Sequence, residues 1–299
     1  MTRASLTSYA WLSIAAAVTT ILLKGLAWWL TGSVGLLSDA VESFVNLAAA
    51  ILALWLLKVA AQPPDSEHAF GHDKAEYFAS GIEGTLILAA AASIAVTALP
   101  RVLYPQRLEQ VGWGLAVSVL ASLVNLFVGQ TLIRAGKQHH SITLEADGHH
   151  LMTDVWTSVG VIVAVALVAA TGWQRLDPLI ALAVAAHICL TGVRLIRRSV
   201  GGLMDSTLPA DERARIESIL DRHRVEGIDY HALRTRQSGH RRFVYFHLLV
   251  PGAWSVDKGH DLMERVEAEI RASVPHTTVI AHLEPMEDPS SYDDQHLDR

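Results

Sequence analysis

The sequence predicts an α-helical membrane protein: six transmembrane helices followed by a cytoplasmic α+β domain of ferredoxin-like αββαβ order. Three features predict it. Of 299 residues, 51% are hydrophobic and 18% charged, more apolar than a soluble domain of this length needs. The apolar residues gather in six stretches that approach or pass the ~20 residues needed to cross a hydrocarbon core of about 30 Å. From about Met204 the composition turns charged, with Asp211, Glu212, Arg213, Arg215, Glu217, Asp221 and Arg222 in close succession, which marks a soluble unit.

The stretches fall near 9–31, 35–60, 77–99, 111–135, 143–171 and 176–196. In the first, Lys24 precedes Trp28 and Trp29 and snorkels beside interfacial indoles; without a small-residue cleavage site the segment is expected to stay as a helix. Pro63 and Pro64 stop the second. Arg3, Lys58, Lys74, Arg134, Lys137, Arg194, Arg197 and Arg198 gather on one side, against Arg101, Arg107 and Arg175 on the other. That bias puts both termini in the cytoplasm, with the chain in the inner (plasma) membrane. Beyond the membrane the pattern reads as helix 210–223, strands 229–236 and 242–250 joined by Ser238-Gly239, helix 256–273 and strand 277–284. The expected domains are a transmembrane domain over 1–203 and a metal-binding domain over 204–288. The tail 289–299 has too little apolar content to pack and is expected to be disordered.

Two pairs stand at helical i, i+4 spacing inside apolar stretches, Glu42 with Asn46 and His150 with Asp154. An ionisable group in lipid costs ~2.5 kcal/mol even on lenient insertion scales, so such residues line a cavity or bind something. Asp39, paired with Ser43 or Glu42, offers another register on the same helix. Asn125 and His187 read as isolated helix contacts. After the second stretch Asp65, His68 and His72 share a loop. In the soluble domain His282 and Glu284 share a strand face, with His231, His247 and His260 on neighbouring elements. Cys189 is the single cysteine, which excludes an intrachain disulfide and a thiolate site within one subunit, so metal chemistry falls to His and carboxylates. No His-Glu-x-x-His run and no activated nucleophile is present, which argues against an enzyme, and nothing points to nucleic acid.

The runs His68-Ala-Phe-Gly-His72-Asp-Lys74-Ala-Glu76, Ala146-Asp147-Gly-His-His150-Leu-Met-Thr-Asp154 and Leu233-Arg-Thr-Arg-Gln-Ser-Gly239 resemble the cation diffusion facilitators, especially the bacterial zinc/iron exporters among them. The likeness covers nearly the whole chain. It implies a homodimer of six-helix subunits in the lipid bilayer that exchanges divalent cations for protons. By the same resemblance the transport site falls on Glu42, Asn46, His150 and Asp154, a loop site on Asp65, His68 and His72, and a cytoplasmic site on His231, His247, His260, His282 and Glu284. Close relatives carry two aspartates where Glu42 and Asn46 stand, and an aspartate in place of Glu284. Since Asn46 cannot carry a proton, coupling is expected to rest on His150 and the carboxylates. A charge interlock between Lys74 and Asp205 is also implied. The expected function is a metal/proton antiporter that exports Zn2+ by alternating access, with Fe2+, Co2+ and Cd2+ suited to the same donors, and with regulation by cytoplasmic metal. A metal-gated channel or membrane metal sensor is the alternative reading.

Overall fold

The structure, a computed structural model, describes residues 6–31, 34–104, 113–225 and 227–293; in the second helix the described side chains are those of Ser43, Phe44 and residues 46–60. Two compact units divide the chain, residues 1–200 and 201–299.

The first unit is built of six long helices: α1 (Leu6–Thr31), α2 (Val34–Ala60), α3 (Ala75–Leu103), α4 (Trp113–His139), α5 (Ile142–Thr171) and α6 (Leu176–Leu203). Among the described residues five helices are long and apolar enough to cross a membrane, and α2 contributes a shorter apolar part, Asn46–Ala60. Large apolar side chains stand outward on these helices, among them Trp29, Val96 and Phe127. An array of that extent suits lipid and not water.

Inside the unit one apolar core joins α1, α2, α4 and α5 through Ala10, Leu54, Leu57, Val128, Leu132 and Leu151. A second joins α3, α5 and α6 through Ile87, Ala146, Ile188 and Leu195. Helix α5 belongs to both, so polar residues on it meet neighbours from several directions. Contact between α4 and α5 is backbone-close: a Cβ placed on Gly148 would lie 2.8 Å from the Gly129 carbonyl oxygen and 2.9 Å from the Ile133 nitrogen. Small residues permit this approach in membrane helices. The start of α5 is fixed by Ser141, whose hydroxyl accepts from the Leu144 N–H and donates to the Glu76 carboxylate of α3. Negative charge at a helix N-terminus is favourable. Gly172, at φ 71°, closes the other end by donating its N–H to the Val168 carbonyl.

The second unit contains α7 (Ala210–His223), β1 (Asp229–Ser238), β2 (Arg241–Val250), α8 (Val256–Ser273) and β3 (Thr277–Pro285), the αββαβ order the sequence predicts. The sheet runs β1-β2-β3, antiparallel between the first two and parallel between the last two, with α8 as the crossover. The hairpin is tighter than predicted: Ser238 pairs with Arg241, so β1 ends two residues later than expected and the turn consists of Gly239, at φ 56°, and His240. Positive φ at the first turn residue matches the right-handed strand twist. Val244, Phe246, Leu248 and Val250 alternate onto the face covered by Ile216 and Leu220 of α7 and Val266 and Ile270 of α8. Arg242 is clamped by Glu212 through two 2.6 Å bonds. The tail departs from the expected disorder at its start. Pro289–Tyr292 form a short 3-10 helix capped by Asp288, because Tyr292 donates its hydroxyl to the Met286 carbonyl and Ser291 donates to that of Pro285; residues 294–299 lie outside the described residues.

Candidate metal centres

Within the membrane unit, the helical spacing sets His150 and Asp154 one turn apart on α5, and both meet Asn46 of α2. The His150 Nε2 lies 2.8 Å from the Asn46 Oδ1, and the Asn46 amide donates to Asp154 Oδ2 at 2.9 Å. An amide oxygen only accepts, so the proton between His150 and Asn46 sits on Nε2. Asp154 Oδ2 accepts a second amide N–H, from Asn125 of α4, also at 2.9 Å. Behind the ring, His150 Nδ1 faces Glu83 Oε2 of α3 at 3.6 Å. One turn earlier on α5, Asp147 accepts from the Ser13 hydroxyl of α1 at 3.0 Å. Three of the four expected transport residues are thus joined in one hydrogen-bonded chain. The side chains of the fourth, Glu42, and of the alternative, Asp39, lie outside the described residues.

Asn125 and Glu83 are the residues that sequence reading missed. Asn125 makes the helix contact expected of it, and makes it to an expected site residue, the carboxylate of Asp154. Glu83 carried a signal, since it is a charged residue in an otherwise apolar run and falls seven positions after Glu76, on the same helical face.

The loop group forms around Asp65. Its Oδ1 accepts from the backbone N–H of Glu67 at 3.0 Å and of His68 at 2.7 Å, which folds the segment after Pro64 into a turn. His68 Nδ1 then stands 3.4 Å from one carboxylate oxygen and His72 Nε2 3.2 Å from the other. Gly71, at φ 86°, supplies the backbone reversal that brings His72 back. The His68 N–H, donating to the carboxylate, holds the Asp65 carboxyl below its usual 3.8. All three residues present ligand atoms within 4.8 Å of one another.

The cytoplasmic group follows from strand register. His231, His247 and His282 are direct cross-strand partners on β1, β2 and β3, and Glu284, two residues after His282, shares its face. His231 Nε2 lies 3.1 Å from His247 Nδ1 and 3.0 Å from Glu284 Oε2, while His282 Nδ1 is 3.3 Å from Glu284 Oε1. Ligand atoms about 2.1 Å from a tetrahedral Zn2+ stand about 3.4 Å apart, so the donors of His231, His247 and Glu284, which converge within 4.8 Å, fit the ion after opening by a few tenths of an ångström, while His282 stands exposed beside Glu284 and outside that converging group. The left-handed backbone at Ala232, φ 51°, makes a bulge just after His231. The Tyr292 ring stands edge-on to His231, 5.8 Å between centroids.

His260 corrects the expected five-residue set. It is exposed on α8, which covers the opposite, apolar face of the sheet, so it does not join the group of His231, His247 and Glu284 within this chain. Asp205 and Arg236 pair at 3.2 Å inside the second unit.

Comparison with known proteins matches both units. Residues 10–204 match the family model described as the cation efflux transmembrane domain, and residues 208–286 the one described as the cation efflux protein cytoplasmic domain. The chain is 52% identical over 290 residues to the uncharacterized transporter sll1263 of Synechocystis sp., covering 97% of this chain and 93% of that protein. It is 34% identical over 273 residues to the cation-efflux pump FieF of Pectobacterium atrosepticum, covering 91% and 90%. With FieF of Serratia proteamaculans the identity is 35% over 266 residues, covering 89% and 88%.

Proposed function

The chain belongs to the cation diffusion facilitator family of multi-pass metal cation efflux transporters, and from that premise we propose that it exports Zn2+ from the cytoplasm in exchange for protons, by alternating access. The observation that carries this reading is the chain Asn46–His150–Asp154 across α2 and α5. Imidazole and carboxylate together suit Zn2+, with Fe2+, Co2+ and Cd2+ as chemical neighbours, whereas an all-oxygen site favours harder ions. His150 Nε2 holds a proton toward Asn46, and a cation at that nitrogen must displace it. Coupling in this reading comes from protons that His150 and the carboxylates take up when the cation leaves and give up when it binds. Glu42 completes the site in this reading.

The same proposal places the protein as a homodimer in the inner membrane with both termini cytoplasmic, and makes the group of His231, His247 and Glu284, with His282 beside it, a regulatory site. Zinc there would bind through the converging nitrogens and the carboxylate and tie β1, β2 and β3 together. The loop group offers an exposed second site. The domain boundary in this reading lies near residue 203, after the last helix of the membrane unit.

The test is Zn2+ flux into proteoliposomes that hold an internal pH dye, comparing wild type with Asp154→Ala and Asn46→Asp. Antiport predicts zinc movement with counter-flowing protons, both lost in Asp154→Ala, and an altered proton response in Asn46→Asp. Zinc movement that carries current and ignores the pH gradient would instead support a channel.

A further inference from the structure

We propose that Glu83 is a positioning residue for His150, fixing which imidazole nitrogen is offered to the cation. The inference rests on the transport-site reading above. Glu83 comes from α3, a helix that supplies none of the expected ligands, and is only 2% exposed. His150 is 7% exposed, and its two nitrogens face different groups: Nε2 toward Asn46 at 2.8 Å, Nδ1 toward Glu83 at 3.6 Å. An imidazole that binds a cation through Nε2 must keep its proton on Nδ1. Once a cation takes Nε2 and the ring proton stands on Nδ1, a carboxyl oxygen of Glu83 accepts that N–H, holds the ring plane and raises the basicity of Nε2.

The separation of 3.6 Å is ion-pair reach and exceeds a hydrogen bond, whose heavy atoms stand about 2.9 Å apart. Closing the remaining ~0.7 Å is a small movement of a three-bond carboxylate side chain, and such bonds tighten on loading. Leaving a carboxylate buried between apolar helices has a cost that a purely packing role does not explain. Glu83 thus acts through His150 and touches no cation.

The experiment uses full-length protein in detergent in a background that silences the other two groups, His68→Ala, His72→Ala, His231→Ala and Glu284→Gln. Co2+ is the probe, titrated by its visible ligand-field absorption, with Zn2+ affinity from competition. Glu83→Ala is expected to weaken cobalt binding ~10- to 100-fold, the range for loss of an orienting partner, and to shift the absorption band of the bound ion. Glu83→Gln, which still accepts from Nδ1–H, should recover part of the affinity and the band position. Background affinity with an unchanged spectrum in Glu83→Ala overturns the inference. Should that variant fail to fold, as judged by gel filtration, Glu83→Met, which keeps the volume and cannot accept from Nδ1–H, decides in its place, and background affinity there overturns it. Asp154→Ala separates the two levels: if it retains cobalt, the transport site itself is misassigned; if it loses cobalt while Glu83→Ala does not, only the role of Glu83 fails.

Discussion

Replacing Gly148 by alanine tests whether the α4–α5 contact sets the proposed transport site. The new methyl carbon would lie 2.8 Å from the Gly129 carbonyl oxygen and 2.9 Å from the Ile133 nitrogen, against an ordinary contact that begins at 3.4 Å. Ile133 Cγ1, nearer still at 2.7 Å, can turn away, but these two obstacles are backbone and cannot, so the helices must separate by about 0.6 Å. The first casualty is the bond from Asn125 on α4 to Asp154 on α5, which at 2.9 Å has that much slack before it reaches the ~3.5 Å at which a hydrogen bond ends. A hydrogen bond to a charged group contributes about 1.5–3 kcal/mol, equivalent to about a 10- to 150-fold change in affinity. Gly148→Ala should therefore raise the half-saturating Zn2+ concentration for proteoliposome flux within that range. Gly25→Ala is the control, because a methyl there meets nothing within 4 Å. Wild-type zinc dependence in Gly148→Ala would refute the idea that backbone contact positions Asp154.

Three further outcomes are expected. Glu212→Ala leaves Arg242, 3% exposed, without its bidentate partner and should destabilise the second unit by about 3–5 kcal/mol, seen as faster hydrogen exchange across β2 and β3; unchanged exchange would show the pair to be dispensable. Asp65 has a depressed carboxyl pKa, so its contribution to the loop turn is present above the ordinary value of 3.8 and lost as pH falls below it. Protection of the Glu67 and His68 amides, corrected for intrinsic exchange, should follow that course, and loss already near neutral pH would count against Asp65 as the anchor. Ala232→Gly relieves a left-handed residue, φ 51°, at ~1–2 kcal/mol less the ~0.5–1 kcal/mol entropic cost of glycine, so melting of the second unit should move slightly upward without loss of zinc affinity. A lower melting temperature would mean that the alanine methyl packs usefully.

Much of this was legible along the chain. Apolar stretches gave the helices of the first unit, alternation gave three strands, and i, i+4 spacing placed His150 and Asp154 on one helix face. What periodicity does not encode is which helices become neighbours. Asn125 lies 29 residues from Asp154 and Glu83 lies 67 from His150, and nothing local in either segment points to the other. The histidines of the soluble unit show the same boundary. Strand register made the grouping of His231, His247 and His282 inferable in kind, but only the layer order reveals that α8 carries His260 to the far side of the sheet. The hairpin was found by Gly239, while its length depended on the sign of one dihedral angle.

The run of contacts Asn125, Asp154, Asn46, His150, Glu83 passes through α4, α5, α2, α5 and α3 in turn. It behaves as a cross-brace on the empty carrier. Pulling α2 away from α5 breaks both bonds of Asn46, at about 2–4 kcal/mol together, which slows that motion by roughly 30- to 1000-fold. A cation or a set of protons that takes over those partners removes the brace. In the antiport reading proposed above, an exporter made this way does not slip: with nothing bound it idles, and a driving gradient is not drained by futile turnover.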